Sequence, residues 1–315
     1  MQKKQHVNFP RIAVVGSTNM DMVVNAERIP VPGETILAHH FFMNPGGKGA
    51  NQAVTVARLG GATLFVSKVG NDVFGRQSSQ LFHEEGIDTR FMLSDDILPS
   101  GVALITVDQK GENSIVVSQG ANNALLPEDF TGAILKELEK CTMVLMQFEI
   151  PMETILHVAR YAASKNIKVV INPAPVQAIP PQLLKYTHII TPNETEAELL
   201  TGIRVKNLDT AKKAAKAILE MGASVVIVTL GAQGALVCER GKMTLVPTEA
   251  VQAVDTTAAG DVFNGALVVG LSNGMQLPEA TRFACRAAAI SVTREGAQSS
   301  IPYYNEVIAH FVGKE

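Results

Sequence analysis

The segment Asp255-Thr256-Thr257-Ala258-Ala259-Gly260-Asp261 holds the residues of this chain best suited to chemistry. It runs into Val262 to Leu271, an apolar stretch of helix-forming residues. Small side chains at a helix start leave backbone N–H groups uncovered. With the positive end of the helix dipole, those groups form a site for an anion. Asp261 stands at the same place. One segment could therefore offer an anion hole for a transferring phosphoryl group and a base for the attacking hydroxyl.

Other polar positions stand where ligands bind in α/β proteins. Asn19 and Asp21 follow the apolar run Arg11 to Gly16, at the carboxyl end of a predicted strand. An amide and a carboxylate two residues apart suit vicinal hydroxyls; the alternative is a plain turn. Gly46-Gly47-Lys48-Gly49-Ala50-Asn51 is a glycine-rich turn into a helix. It permits close approach of a polar ligand, with Lys48 and Asn51 as hydrogen-bonding heads, or it is a tight loop with a solvated lysine. It is not a Walker A motif, because Lys48 is followed by Gly49. Glu149 closes the apolar run from Met143, either as a site carboxylate or as a cap for a helix starting near Pro151. Asn193 and Glu196 have capping-box spacing, and the same pair suits a hydrated Mg²⁺. Gly231 and Gly234, after Thr229, allow backbone contact with a nucleotide or make an ordinary turn. The seven histidines lie scattered, and no Ser/His/Asp constellation is evident.

The elements that must position these residues alternate in type. Strands are predicted at Arg11 to Gly16, Leu64 to Val69, Met143 to Phe148, Lys168 to Ile171, His188 to Thr191 and Ser224 to Thr229. Helices are predicted over Ala50–Leu59, Phe74–Glu85, Pro127–Lys140, Met152–Asn166, Glu194–Thr201, Leu208–Met221, Ala259–Ser272 and Pro278–Thr293. This rhythm argues an α/β fold, a mostly parallel sheet with helices on both faces. Gly234 to Cys238 and Met243 to Val246 read as a hairpin near one sheet edge. Two segments, about 22–45 and 100–123, lack the alternation and are expected to form a small β-sheet lid over the site. The whole chain, 1–315, reads as one domain with that lid.

Composition sets limits. At 46% hydrophobic and 18% charged residues, the 315-residue chain is expected to be an ordinary globular protein with a large core. A net charge of −3 gives no case for nucleic acid or an anionic membrane as the main partner. Cys141, Cys238 and Cys285 are odd in number and far apart, which argues against a disulfide framework. The first ten residues carry Lys3 and Lys4 with no apolar run, so a cytoplasmic protein is expected.

Taken in order, GSTNMD, PGET, GGKGANQA, TPNETEAELLTG, TLGAQG, VDTTAAGD and VTREGAQSSIP resemble the ribokinase (PfkB-type) family of carbohydrate kinases, from about Arg11 to Pro302. Ala258, where many members of the superfamily have glycine, favours the ribokinase branch. The resemblance implies ATP-dependent phosphorylation of a sugar, ribose first, with 2-deoxyribose or another sugar or nucleoside of the same family as the alternative. By position it implies that Asn19, Asp21, Gly47, Lys48, Asn51 and Glu149 hold the sugar, with Asp261 as base and Ala258, Ala259 and Gly260 as anion hole. It further implies Mg²⁺ and phosphate at Asn193 and Glu196, and ATP along Thr229, Gly231, Gly234 and Gly260, with Cys285 near the adenine. A K⁺ site is implied at Asp255, Thr257, Ser291, Arg294, Gly296 and Ser300, and a homodimer through the lid strands. A sugar-binding sensor on the same fold is the non-enzymatic alternative.

Overall fold

A strand buried between two helical layers must be apolar on both faces, and β1 (Arg11–Val15) meets that demand. In the computed structural model, which describes residues 11–239 and 241–312, Ile12 and Val14 join the core on one side of the sheet. Ala13 and Val15 join the core on the other. The same division recurs in β8 (Met143–Met146), where Met143 and Leu145 face one cluster and Val144 and Met146 the other. The N-terminal stretch with Lys3 and Lys4 lies outside the described residues.

The remaining elements follow in chain order. The first half contains β2 (Asn19–Asn25), β3 (His40–Gly46), α1 (Lys48–Arg58), β4 (Ala62–Gly70), α2 (Val73–Glu84), β5 (Asp88–Asp95), β6 (Gly101–Val107), β7 (Asn113–Ser118) and α3 (Gly132–Leu138). After β8 come α4 (Met152–Ser164), β9 (Lys168–Ile171), α5 (Pro181–Tyr186), β10 (Ile189–Ile190), α6 (Glu194–Thr201), α7 (Leu208–Glu220) and β11 (Val225–Thr229). The chain continues through β12 (Ala235–Glu239), β13 (Lys242–Val246), α8 (Ala259–Ser272), α9 (Leu277–Ser291) and α10 (Tyr304–Val312).

A nine-stranded sheet has the order β13-β12-β11-β10-β9-β8-β1-β4-β5. It is parallel from β11 to β5, and the antiparallel hairpin β12–β13 forms one edge. Helices α1, α8 and α9 cover one face through Val54, Phe263 and Phe283; α4, α6 and α7 cover the other through Ile155, Ala197 and Ala211. A second sheet, β3-β2-β6-β7, is built from the two segments that lack alternation. Its register sets Asn44, Asp21, Ala103 and Val117 in one row and Met43, Met22, Leu104 and Val116 in the next, on the opposite face.

Three local expectations are corrected. Asn19 and Asp21 do not make a turn: they lie in β2, two residues apart and so on one face of the small sheet. The predicted helix over 127–140 is broken. Asp129 accepts the N–H of Leu126 at 2.8 Å within a 3₁₀ turn at Pro127–Asp129, and α3 starts only at Gly132. Strand β5 was not expected. As an edge strand it is only partly buried, its apolar run is limited to Phe91-Met92-Leu93, and its Asp88 pairs with Arg11 and Arg90.

Candidate active site

The site begins where glycines let α1 press against the end of β1. Gly47 has φ 89°, a left-handed conformation open to glycine. A Cβ at Gly49 would stand 2.5 Å from backbone atoms of Gly16 and Ser17. The first turn of α1 is pinned there: Ala50 N–H donates to Ser17 O at 2.9 Å and Lys48 N–H donates to Glu149 Oε2 at 3.0 Å. Ser17 Oγ donates to the same carboxylate oxygen at 2.6 Å. Glu149 therefore does cap a helix, but it is α1 rather than α4, whose start is set by Pro151. An acidic group at the start of a helix is stabilised by the dipole.

Asp261 lies in the first turn of α8 and is 5% exposed. Both its oxygens accept side-chain amides from α1: Asn51 Nδ2 donates to Oδ2 at 3.0 Å and Gln52 Nε2 to Oδ1 at 2.9 Å. The residue at the helix cap, Ala258, has φ 60° and ψ 6°, a conformation L-residues adopt at a cost. Ala259 N–H makes only a long bond, 3.3 Å, to Thr256 O. An incoming anion can replace it.

Ala258, Ala259, Gly260 and Asp261 line a cavity of about 210 Å³ together with Lys48, Asn193, Glu196 and Thr229. Asn193 and Glu196 complete the reciprocal cap of α6, each side chain accepting the other's N–H at 2.8 Å. Glu196 Oε1 accepts no hydrogen bond among the described residues.

The charges are unbalanced. The Asp261 charge raises the Lys48 ammonium above its usual range against the opposing effect of burial, and Glu149, Glu196 and Asp21 raise it further. Burial raises Glu196. Burial, then the charges of Glu149 and Asp261, push Asp21 up to about 7. The surplus negative charge of the pocket thus resides on groups that one ammonium cannot neutralise, and Asp21 is the carboxyl poised to hold a proton. Asn19 is held by Asn122, whose Nδ2 donates to Asn19 Oδ1 at 2.8 Å and to Thr18 O at 3.0 Å.

The segments named for K⁺ also meet. Val254 and Asp255 N–H donate to Val292 O at 2.7 and 3.2 Å, and Gly296 N–H donates to Asp255 Oδ2 at 2.9 Å. Thr257 N–H donates to Asp255 Oδ1 at 2.9 Å. Burial opposes ionisation of Asp255, but the Thr257 and Gly296 bonds hold its carboxyl below the usual range. Ser291 and Ser300 are buried, and each hydroxyl donates to a nearby carbonyl, Ala288 O and Ala297 O. The Arg294 guanidinium pairs with Glu306, leaving only its backbone for a cation.

Not every predicted residue lines the cavity. Cys285 lies buried in α9 and is absent from the lining. Gly234 has a packing reason of its own, since a Cβ there would stand 2.1 Å from Val246 O, whereas Gly231 is open. Sequence reasoning missed Asn172, Thr191 and Asn264, which all line the cavity. Asn172 and Thr191 directly follow β9 and β10, so the strand-end rule that found Asn19 would have found them. It also missed Gln52, whose signal was a polar residue in a helix with Ala50, Ala53 and Val54 buried around it.

Comparison with known proteins identifies the family and the fold. The family model described as "pfkB family carbohydrate kinase" matches residues 10–303. A ribokinase from Haemophilus influenzae is 43% identical over 297 residues, covering 94% of this chain and 97% of that protein. A deoxyribokinase from Salmonella typhi is 37% identical, covering 95% and 98%. The solved structure of Arabidopsis thaliana ribokinase complexed with ribose and ATP superposes with a TM-score of 0.91 at 34% identity, covering 96% of this chain and 98% of that one. Matched over nearly its whole length, with the polar strand ends and the acidic helix start in place, the chain belongs to the pfkB family of carbohydrate kinases.

Proposed function

We propose that this protein transfers the γ-phosphoryl group of ATP to the 5-hydroxyl of D-ribose. One observation carries the reading: a buried carboxylate, Asp261, sits at a helix start within a polar cavity, held on both oxygens by donated amides. Relatives named ribokinase, similar over nearly the whole chain, supply the substrate.

In this reading the sugar lies between the small sheet and α1. Asn19 and Asp21 face its secondary hydroxyls, and Gly47, Lys48, Asn51 and Glu149 complete its pocket. Asp261 accepts the proton of the primary hydroxyl as that oxygen attacks the γ-phosphorus. The N–H groups of Ala259 and Gly260 stabilise the charge on the transferring oxygens, a role worth most in a site that excludes water. ATP lies along Thr229, Gly231 and the start of α8. The small sheet acts as a lid.

Two ions fit the residues. Asn193 and Glu196 suit Mg²⁺ through a metal-bound water, because Glu196 Oε2 is taken up by its cap while its other oxygen has no partner among the described residues. Bound there, Mg²⁺ would neutralise phosphate charge. The two segments holding Asp255, Thr257, Ser291, Arg294, Gly296 and Ser300 offer carboxylate, hydroxyl and carbonyl oxygens, a donor set suited to K⁺. Bound there, K⁺ would supply a fixed charge beside the turn that leads to Ala259.

The outer row of the small sheet exposes Met43, Leu104 and Val116, with Phe41 beside them. An apolar face of this kind is an association surface, and we place the homodimer contact there. Among the described residues, no helix is long and apolar enough to cross a membrane. The three free, buried cysteines suit a reducing cytoplasmic compartment.

Initial rates with ribose, 2-deoxyribose, fructose and adenosine in a coupled ADP assay test the reading. Ribose is expected to lead. Preference for 2-deoxyribose would move the assignment toward the second relative, and absence of ADP release with all four would favour a sensor.

A further inference from the structure

Two lines of side-chain amides converge on Asp261, each presenting its N–H groups toward the carboxylate. In one line, Gln147 Nε2 donates to Gln52 Oε1 at 2.5 Å, and Gln52 Nε2 donates to Asp261 Oδ1 at 2.9 Å and Asn172 Oδ1 at 3.1 Å. In the other, Gln298 Nε2 donates to Asn51 Oδ1 at 3.3 Å, and Asn51 Nδ2 donates to Asp261 Oδ2 at 3.0 Å. Gln52 and Gln147 are both 0% exposed.

The direction of the first line follows from what each group can do. An ionised carboxylate only accepts. Gln52 must therefore offer its nitrogen to Asp261, which turns its oxygen to Gln147. Gln147 must then offer its own nitrogen. Its oxygen is left buried without a partner among the described residues, against Gly16, where a Cβ would stand 2.1 Å away. A buried acceptor left unpaired costs stability. The arrangement keeps that defect at Gln147 and turns the Gln52 nitrogen to the carboxylate.

We propose that Gln52, oriented by Gln147, is a positioning residue for phosphoryl transfer. It fixes Asp261 Oδ1 so that the remaining lone pairs of the carboxylate face the acceptor hydroxyl. Gln52 is fully buried, and its amide nitrogen and oxygen are taken up by Asp261, Asn172 and Gln147, so it acts through Asp261 and not on sugar or nucleotide. This rests on Asp261 being the base. The other charges that act on Asp261 are Lys48 from α1, Asp21 from β2 and Glu196 from α6. Glu149, after β8, acts on Lys48 and Asp21 beside it.

The test uses Gln52→Met, Gln52→Glu, Gln147→Met and Asp261→Asn, each measured for kcat, both KM values, the pH profile of kcat and thermal unfolding. Gln52→Met is expected to lower kcat ~10–100-fold, as loss of alignment does, with the sugar KM little changed. Gln52→Glu keeps the volume but sets a second carboxylate beside Asp261, so the acid limb of the profile should move to higher pH. Gln147→Met leaves Gln52 in place but free to turn, and a smaller loss of kcat is expected. A filler role would lower the melting temperature and leave kcat and the pH limb of the folded protein at wild-type values. That result in Gln52→Glu and Gln147→Met overturns the proposal, even if Gln52→Met fails to fold. If Asp261→Asn keeps full turnover, the base reading itself is wrong. If Asp261→Asn is crippled and the glutamine variants are not, only the positioning role is lost.

Discussion

Gly49→Ala probes how much of the chemistry depends on α1 lying tight against the end of β1. The added Cβ would stand 2.5 Å from Gly16 C and Ser17 N and 2.7 Å from Ser17 O. All three are backbone atoms and cannot rotate aside. Ordinary carbon contact is about 3.5 Å, so α1 and the chain after β1 must separate by ~1 Å. The first five residues of α1 include Lys48, Asn51 and Gln52, and the last two hold Asp261. These groups shift together relative to the sugar pocket on β2. A displacement of ~1 Å can cost about 10²-fold in rate, and overpacking typically costs about 1–3 kcal/mol of stability. Gly49→Ala is therefore expected to stay folded, melt earlier and lose about 100-fold in kcat in a coupled ADP assay. Gly132→Ala is the control: it starts α3, a Cβ there would meet no atom within 4 Å, and the variant should match wild type. A Gly49→Ala protein with more than about half the wild-type kcat would refute the claim that α1 is held at its closest tolerable distance.

Three further outcomes are expected. Ala258→Gly relieves a left-handed φ of 60°; set against the extra freedom of glycine in the unfolded chain, stability should rise by up to ~1 kcal/mol, and a clear drop in melting temperature would contradict this. Asp21 has a folded value of about 7 against an ordinary 3.8, so the native state binds the extra proton and stability falls as pH rises through that window. Asp21→Asn should therefore melt above wild type at pH 8, with the gap closing toward pH 4, and a pH-independent gap would exclude the linkage. Leu104→Glu, on the outer row of the small sheet, is expected to give a monomeric mass by light scattering where the wild type gives a dimer; an unchanged mass would move the contact elsewhere.

Much of this architecture is legible in the chain because burial imposes a pattern on it. The central strands had to be apolar on both faces, and β1, β8 and β9 show it. Helix starts with Asn193 and Glu196 carry their capping chemistry in the spacing alone. Edge strand β5 was hidden because, with a single neighbour, it is only partly buried and its three apolar residues, Phe91 to Leu93, are flanked by polar and charged ones. In the candidate site, Asp261, Lys48 and Glu196 were readable as polar groups at helix starts, and the cavity lining includes all three. The partners of Asp261 were less so. Gln52 is 209 residues away and Gln147 is 95 residues from Gln52, and no local pattern announces a contact across such separations. Glu149 shows the same limit: its capping chemistry was evident, but the helix it caps starts 101 residues earlier, at Lys48.

The central claim is that the Asp261 carboxylate takes the proton from the sugar hydroxyl as phosphorus is attacked. Turnover of Asp261→Asn with ribose and ATP, on protein shown to be folded, tests it most directly. Loss of a general base predicts a fall of ~10²–10⁴-fold in kcat with the ribose KM nearly unchanged; ribose phosphorylated at the wild-type rate would contradict it.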